Sequence, residues 1–234
     1  MTIEKTACYR SPNNSPREPV WFCVEGINGV GKTSLLSQLT QRLTAGEYAL
    51  VAELTDTHDP VPSKVIAALS GGQSFLRTGH PRTETLALLG LKVREYEQIR
   101  ALSTPPRIVL EDRGVDTVAI YQAAIWAGVH APTTQLNELA DRIHATAAIW
   151  RPPPDRVLLL IDDIDACVDR FAHRQGCPVT SEERDLIECA DRLYRARAQQ
   201  DPRRYRVIDR AGREETAVVE QMLTEVVAAI GGAE

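Results

Sequence analysis

Short apolar runs alternate with longer stretches of helical periodicity along most of this chain. The runs lie at residues 20–24, 48–54, 107–110, 156–161 and 205–208. Because these runs are rich in leucine and β-branched side chains, they predict strands of a buried sheet. The longest helical candidates between and after them are 83–102, 116–127, 134–150, 181–199 and 213–230. This alternation predicts an α/β fold, in which helices cover both faces of a parallel sheet.

Local signals mark the ends of several of these elements. The pair 180–181, Thr-Ser, precedes Glu182 and Glu183, which is a favourable helix start. Glycines at 231–232 follow the last helical candidate and are typical of a helix end. The proline run 152–154 is a stiff linker that leads the chain into the fourth predicted strand.

Residues 26–33, Gly-Ile-Asn-Gly-Val-Gly-Lys-Thr, follow the first predicted strand directly and fit the pattern G-x-x-x-x-G-K-[ST]. In such a loop the glycines let successive backbone N–H groups turn inward around an oligophosphate. Lys32 would supply a positive charge to the β and γ phosphates, and the Thr33 hydroxyl is suited to bind Mg²⁺. Apolar residues recur at helical spacing after the loop, so a helix dipole would also face the anion. The strand before and the helix after argue against a glycine-rich turn that binds nothing.

Carboxylates and an arginine follow two other predicted strands. The third strand leads into Glu111-Asp112-Arg113, and the fourth ends in Asp162-Asp163. Open α/β sheets bind ligands at the carboxyl ends of their strands, where a carboxylate can hold Mg²⁺ and a guanidinium can bind phosphate. We therefore predict Asp112 and Arg113 as site residues, against the alternative of a capping Asp and a surface Arg. For Asp162 the pattern leaves a strand-end cap and a functional role open.

Composition narrows the classes of protein that remain. The chain has 234 residues, 43% of them hydrophobic, which suits one domain over 19–234 after a flexible tail at 1–18. The net charge of -5 and the lack of a long basic block argue against a nucleic-acid partner. The five cysteines and five histidines form no metal-like cluster, so neither zinc nor disulfides are expected. Without an apolar run of roughly 18 residues or a signal peptide, we expect no membrane partner and a cytoplasmic location.

Residues 22–33 resemble the opening motif of the thymidylate kinase family, F-x-x-x-E-G-x-[DE]-G-x-G-K-T, with two residues in place of three between the phenylalanine and the glutamate. Residues 110–122 are similar to the family segment D-R-x-x-x-[ST]-x-x-A-Y-Q, which positions the acceptor. Further similar segments follow in family order at 136–140, 154–157 and 207–209. The likeness runs from about residue 20 to the C-terminus. Its specificity lies mainly in the D-R…Y-Q segment, because the phosphate loop is common to many families.

This resemblance implies a P-loop NTPase fold of three layers, a five-stranded parallel sheet flanked by helices, with a short lid. It also implies ATP with Mg²⁺ as donor, a nucleoside monophosphate such as dTMP as acceptor, and a homodimer. The residues placed at the donor nucleotide are Gly26, Asn28, Gly29, Val30, Gly31, Lys32, Thr33, Ser34 and Asp209. Those placed at the acceptor are Glu25, Asn28, His58, Arg94, Arg113, Thr117, Tyr121 and Gln122. The implied catalytic set is Lys32, Asp112, Arg113 and the lid arginines Arg170 and Arg174, with Thr33 and Asp112 at the metal.

Several of these assignments have structural alternatives. Arg94, which would read the base edge, could instead be an exposed helix arginine that pairs with Glu97 or Gln98. Tyr121 and Gln122 could serve helix packing. The lid segment 170–181 could be an ordinary connection between two helices.

The chain departs from the family pattern on the acceptor side. Asn28 replaces an Asp or Glu, and Gly90, four residues before Arg94, replaces a phenylalanine that stacks on thymine. His58 replaces the arginine of an R-E-P motif, and Gly114 replaces an aromatic residue or histidine. Three hypotheses therefore remain open: a dTMP kinase, a diverged kinase for a modified nucleotide, nucleoside or specialised metabolite, and a regulatory protein that binds a nucleotide without transferring phosphate. The last lacks support, since we find no N-K-x-D motif.

Overall fold

The structure is a computed structural model that describes residues 18–55, 59–71, 75 and 78–231. Residues 1–17, His58 and Gly232 lie outside this described part. The strands are β1 (Val20–Glu25), β2 (Tyr48–Val51), β3 (Ile108–Asp112), β4 (Arg156–Ile161) and β5 (Tyr205–Asp209). The helices are α1 (Lys32–Thr40), α2 (Pro60–Ser70), α3 (Pro81–Arg100), α4 (Val115–Ala127), α5 (Thr133–Ala147), α6 (Ile164–Gln175), α7 (Ser181–Gln200) and α8 (Glu215–Gly231).

The strands form one parallel sheet in the order β2-β3-β1-β4-β5. The prediction of a five-stranded parallel α/β sheet is therefore confirmed. Strand β1 lies in the centre, where Val24 pairs with Asp112 on β3 and with Leu158 on β4. Since all strands run the same way, the residues that follow β1, β3 and β4 meet at one edge of the sheet. The candidate site lies at this edge.

Six of the eight helices named above fall into two groups. Helices α1 and α8 pack against each other and against β1, while α3, α4, α5 and α7 form a second group joined mainly through α4. The main core between the helices and the sheet includes Phe22, Val24, Leu35, Leu110 and Leu158, each at most 1% exposed. Of the helices that the structure describes, none combines the length and the apolar character needed to cross a membrane.

The element ends differ from the predicted ones for local reasons. Strand β2 ends at Val51 and not at residue 54, whereas β3 continues to Asp112 because its ladder with β1 extends that far. The capping box at the start of α7 is present, with Thr180 and Glu183 bonded to each other's backbone. Helices α2 and α6 were not among the predicted elements. Each begins at an aspartate cap: Asp59 accepts from Val61 N, and Asp163 accepts from Ala166 N, both at 2.9 Å.

A buried ion cluster lies within the sheet and beside α3. Glu111 of β3 is fully buried and accepts hydrogen bonds from Arg151 at 3.0 and 2.9 Å and from the Trp21 indole at 2.8 Å. The ammonium group of Lys92 lies 3.4 Å from Glu111 and 2.9 Å from Glu95. Burial alone would raise the pKa of Glu111, but the charges of Arg151 and Lys92 lower it to about 2. The carboxylate therefore stays ionised inside the fold.

Candidate functional site

The phosphate loop connects β1 to α1 in a conformation that requires glycine. Gly29 and Gly31 have φ angles of 78° and 94°, in the left-handed region. A Cβ atom at Gly29 would also collide with the carbonyl oxygen of Cys167 on α6. Among the described residues no side chain caps α1, so its first N–H groups are left for a bound anion.

Lys32 lies at the start of α1 and folds back onto the loop. Its ammonium group donates to the carbonyl oxygens of Gly26 and Ile27, both at 2.9 Å, and the residue is only 4% exposed. Burial, together with the nearby charge of Arg113, lowers the pKa of Lys32 to about 7. An anion in the loop would therefore favour the charged form of this lysine.

Thr33 and Asp112 form the second feature of the loop. The Thr33 hydroxyl donates to Asp112 Oδ2 at 2.7 Å. The other carboxylate oxygen, Oδ1, is buried and has no hydrogen-bond partner within the described residues. Burial raises the pKa of Asp112 above its ordinary value, because the charged form is desolvated. The pair thus offers oxygen ligands of the kind that a hard divalent cation binds.

Arg113 follows Asp112 in a strained backbone conformation. Its φ angle of 62° is the only positive value of a non-glycine residue in the described part of the chain. The guanidinium forms an ion pair with Glu53 at 2.7 Å and donates to Asn28 Oδ1 at 3.0 Å. The Tyr121 hydroxyl donates to the same oxygen, also at 3.0 Å. Asn28 therefore links the phosphate loop to α4 through Tyr121.

Two cavities open at this edge of the sheet. The loop cavity, of about 290 Å³, is lined by residues that include Lys32, Thr33, Ser34, Arg170, Arg174 and Arg210. The inner cavity, of about 170 Å³, is lined by residues that include Asn28, Leu88, Lys92, Thr117, Tyr121 and Gln122. Within the described residues the two linings have only Glu53 and Arg113 in common. These two residues therefore form the junction between the cavities.

The inner cavity has mainly apolar walls with a few fixed polar groups. The rings of Phe75 and Tyr121 stack at 5.9 Å between centroids and 15° between planes. The Thr85 hydroxyl donates to the carbonyl oxygen of Pro81 at 2.6 Å and also lies 3.1 Å from the side-chain oxygen of Gln122. Tyr121 and Gln122 are thus both packed between helices and exposed to the cavity, so the two interpretations of these residues are compatible.

Helix α3 presents a different pair of residues to the inner cavity from the pair that the sequence suggested. Leu88 and Lys92 line it, whereas Gly90 is exposed and Arg94 is not among the lining residues. Arg94 instead forms an ion pair with Asp59 at 2.8 Å, and not with either partner considered from the sequence. Both pairs have the same spacing of four, and a shift of two residues turns the helix by about 200°. Spacing alone could not choose between them.

Glu25 lies beneath the site and lines neither cavity, although the sequence interpretation placed it at the acceptor. It is fully buried and accepts hydrogen bonds from Gly114 N at 2.8 Å, the Thr117 hydroxyl at 2.5 Å and the Tyr194 hydroxyl at 2.9 Å. Burial, and then the charge of Asp116, raises its pKa. Its carboxylate therefore joins β1 to α4 and α7.

The two arginines predicted for the lid, Arg170 and Arg174, lie on α6 and not in a loop. Arg170 donates to the carbonyl oxygen of Gly29 at 2.7 Å and pairs with Asp162, while the Arg174 guanidinium lies 5.4 Å from the Phe171 ring. Asp162 is therefore an ion-pair partner of Arg170. The residue that caps α6 is the next one in the chain, Asp163. The connection between α6 and α7 is residues 176–180.

Arg210 lines the loop cavity but was not among the residues predicted from the sequence, where its neighbour Asp209 was chosen. Arg210 donates to the carbonyl oxygen of Val30 at 2.6 Å and lies 3.3 Å from Asp162. Asp209 is exposed, accepts from Ala211 N at 2.9 Å and is absent from the lining of the loop cavity. The signal was available, because Arg210 follows β5 as Arg113 follows β3.

Comparison with known proteins identifies the family. No protein-family model matches the chain. It is 32% identical to a thymidylate kinase of Thermomicrobium roseum over 196 residues, covering 81% of this chain and 86% of the relative. The chain belongs to the thymidylate kinase family. A thymidylate kinase of Halorhodospira halophila is 31% identical and covers 86% of this chain and 91% of that relative.

The fold agrees with this membership. The solved structure of thymidylate kinase from Candida albicans matches with a TM-score of 0.65 at 18% identity, covering 93% of this chain and 94% of that one. The thymidylate kinase from Ehrlichia chaffeensis matches with a TM-score of 0.58. The predicted P-loop NTPase fold is therefore confirmed. As a member of the thymidylate kinase family, the protein is a kinase of the nucleotide kinase type.

Proposed function

We propose that the protein transfers the γ-phosphoryl group of ATP, bound with Mg²⁺, to a nucleoside monophosphate such as dTMP. The observation that carries this proposal is the meeting of the two cavities at Arg113. A polyphosphate in the loop cavity and an acceptor in the inner cavity would face each other at this residue. Such positioning is the main contribution that a protein makes to phosphoryl transfer.

The donor side supports binding of a triphosphate. The N–H groups of the loop would contact the phosphates. Lys32 would do so as well, because the two carbonyl oxygens that it contacts now are weaker partners for its ammonium group than a charged phosphate. Further positive charge comes from three guanidinium groups that line the loop cavity: Arg170, Arg174 and Arg210. These charges would offset the charge on the transferring phosphoryl group.

The pair of Thr33 and Asp112 fits a magnesium ion. The fit rests on the unpartnered, buried Oδ1 of Asp112 beside the Thr33 hydroxyl, because Mg²⁺ binds through hard oxygen ligands. When bound, Mg²⁺ neutralises charge on the β and γ phosphates. Asp112 and Thr33 would hold the ion. Asp112 would also lie close to the acceptor, because the next residue, Arg113, would bind the acceptor phosphate.

The acceptor side supports a nucleotide with a carbonyl-bearing base. Tyr121 and Leu88 provide apolar surface for a flat ring. Gln122 offers an amide donor at the same cavity, and a donor is what a carbonyl oxygen of thymine requires. Arg113, at the junction, would bind the acceptor phosphate and orient its oxygen towards the donor.

A screen of nucleoside monophosphates with MgATP tests the proposal. We expect dTMP to be converted to dTDP with an equal amount of ADP, detected by mass spectrometry. Absence of transfer to any monophosphate, in protein shown to be folded by circular dichroism, would contradict it.

Replacing Asp112 with asparagine should reduce activity by about 10–100-fold at low Mg²⁺. The amide keeps the shape but removes the negative charge that would hold the ion, so added Mg²⁺ should restore part of the rate. The measurement is a Mg²⁺ titration of initial rates. Asp141→Asn is the matched control, since Asp141 is 61% exposed and pairs with Arg197 on the surface. Equal Mg²⁺ requirements for the two variants would show that Asp112 does not hold the metal.

We also infer a homodimer, as the family resemblance implies. Leu86 on α3 and Ile149 and Trp150 after α5 are large apolar residues that are 61%, 71% and 55% exposed. Apolar surface of this kind is typical of protein interfaces. Light scattering should give twice the mass of one chain, and Trp150→Glu should lower that mass. A single-chain mass at micromolar concentration would exclude the dimer.

A further inference from the structure

Glu53 is a carboxylate at the place where donor and acceptor would meet. It follows β2, lines both cavities and forms the 2.7 Å ion pair with Arg113. Its side chain is 24% exposed, whereas that of Arg113 is 8% exposed. A group that reaches from the inner cavity into the loop cavity therefore passes this carboxylate.

The charge at the junction distinguishes two kinds of acceptor. Arg113 is already neutralised by Glu53, so an incoming phosphate dianion would meet a carboxylate as well as a guanidinium. Like charges at such short range repel each other. A neutral hydroxyl group meets no repulsion, and a carboxylate is a good acceptor for its proton.

The side chain of Glu53 is kept as an ionised carboxylate, which is the form that can accept a proton. Burial alone would raise its pKa, but the charges of Arg113 and Lys32 lower the pKa below its ordinary value. A phosphate oxygen is largely ionised near neutral pH and needs no such partner, since its second pKa is about 6. An alcohol does need one, and protein kinases use an aspartate in this way.

We propose that the same site also phosphorylates the hydroxyl group of an unphosphorylated nucleoside, with Glu53 as the proton acceptor. The hydroxyl oxygen would form a bond to the γ-phosphorus of ATP, and its proton would move to the Glu53 carboxylate. The bond between the γ-phosphorus and the β–γ bridging oxygen would break, and its electron pair would leave with ADP. The inference rests on the proposed function, because it uses the same donor cavity and the same base-binding walls.

The test compares thymidine and dTMP as acceptors for MgATP in wild-type protein and in Glu53→Gln. We expect wild-type protein to phosphorylate both. In Glu53→Gln the rate with thymidine should fall by about 10²-fold. The KM for dTMP should fall or stay unchanged, because Arg113 is freed. Glu53→Asp keeps a carboxylate and should retain part of the thymidine rate.

Glu220→Gln is the matched control, since Glu220 is also paired with an arginine, Arg42, but on the surface. It should leave both rates unchanged. Wild-type protein that phosphorylates dTMP but not thymidine would overturn this inference and leave the proposed function intact. Activity with thymidine alone would support the inference and overturn the proposed function. An equal loss with both acceptors in Glu53→Gln would show that Glu53 does not accept the proton.

Discussion

Replacement of Lys32 by methionine is expected to lower kcat for phosphoryl transfer by about 10²–10³-fold. Methionine keeps the length and the buried stem of the side chain but removes the charge that would offset the γ phosphate. Since this charge acts in a largely buried position, water cannot replace it. Affinity for MgATP should fall as well, because the lysine would contact the nucleotide before and during transfer.

Initial rates and calorimetric titration with MgATP measure the two effects of this substitution. Lys64→Met on α2 is the control, because Lys64 is exposed and lines neither cavity. Thermal unfolding separates lost chemistry from lost structure. If Lys32→Met turned over within a few-fold of wild-type protein, the phosphate loop would not bind the donor as proposed.

Replacement of Arg151 by methionine is expected to lower the free energy of unfolding by about 3–5 kcal/mol at neutral pH. The substitution leaves Glu111 charged in a fully buried position, with Lys92 at 3.4 Å as its remaining ion-pair partner. It also removes the contact between the Arg151 guanidinium and the Trp21 ring, 5.0 Å apart. Urea unfolding measures the loss.

The pH dependence of this loss follows from the pKa of Glu111. In the folded protein that pKa is about 2, against an ordinary value of 4.5. The ion pair therefore stabilises the fold fully above pH 4.5, and its contribution disappears as the pH falls from 4.5 towards 2. The difference in the free energy of unfolding between wild-type protein and Arg151→Met should accordingly stay constant from pH 7 to about pH 4.5 and narrow as the pH falls from 4.5 towards 2.

Arg100→Met provides the comparison for Arg151→Met. Arg100 pairs with Glu18 at 2.9 Å on the surface, where both side chains are at least 46% exposed. Its loss should stay below about 1 kcal/mol. A combined replacement of Arg151 and Glu111 by apolar residues should recover part of the stability, because no unpaired charge remains. Equal losses for the two single variants would show that the buried cluster contributes no more than a surface pair.

The sequence was most informative where one short segment determines the structure. The strand pattern and the phosphate loop depend on neighbouring residues, and both were predicted close to their observed positions. Asp112 and Arg113 were predicted as site residues because they lie at the end of a strand of the sheet. Arg210 meets the same condition and was overlooked in favour of Asp209.

The remaining site residues depend on contacts between distant segments. Glu25 was assigned to the acceptor, but its oxygens are taken by groups of α4 and α7 that are far away in the chain. Helix α3 lines the inner cavity with Leu88 and Lys92, which share the spacing of the predicted pair Gly90 and Arg94. Glu53 follows a short strand without any motif, so only the folded sheet shows that it reaches Arg113.

Gly29 of the phosphate loop lies against the backbone of α6, and this contact limits how a lid formed by α6 could move over the donor nucleotide. The first turns of α6 rest on the phosphate loop, and Arg170 is fastened to it by the hydrogen bond to Gly29. Any hinge must therefore lie beyond this anchored half, towards Gly176. Arg174 lies one turn further along the helix and could move towards a bound nucleotide, whereas the hydrogen bond to Gly29 would hold Arg170 in place.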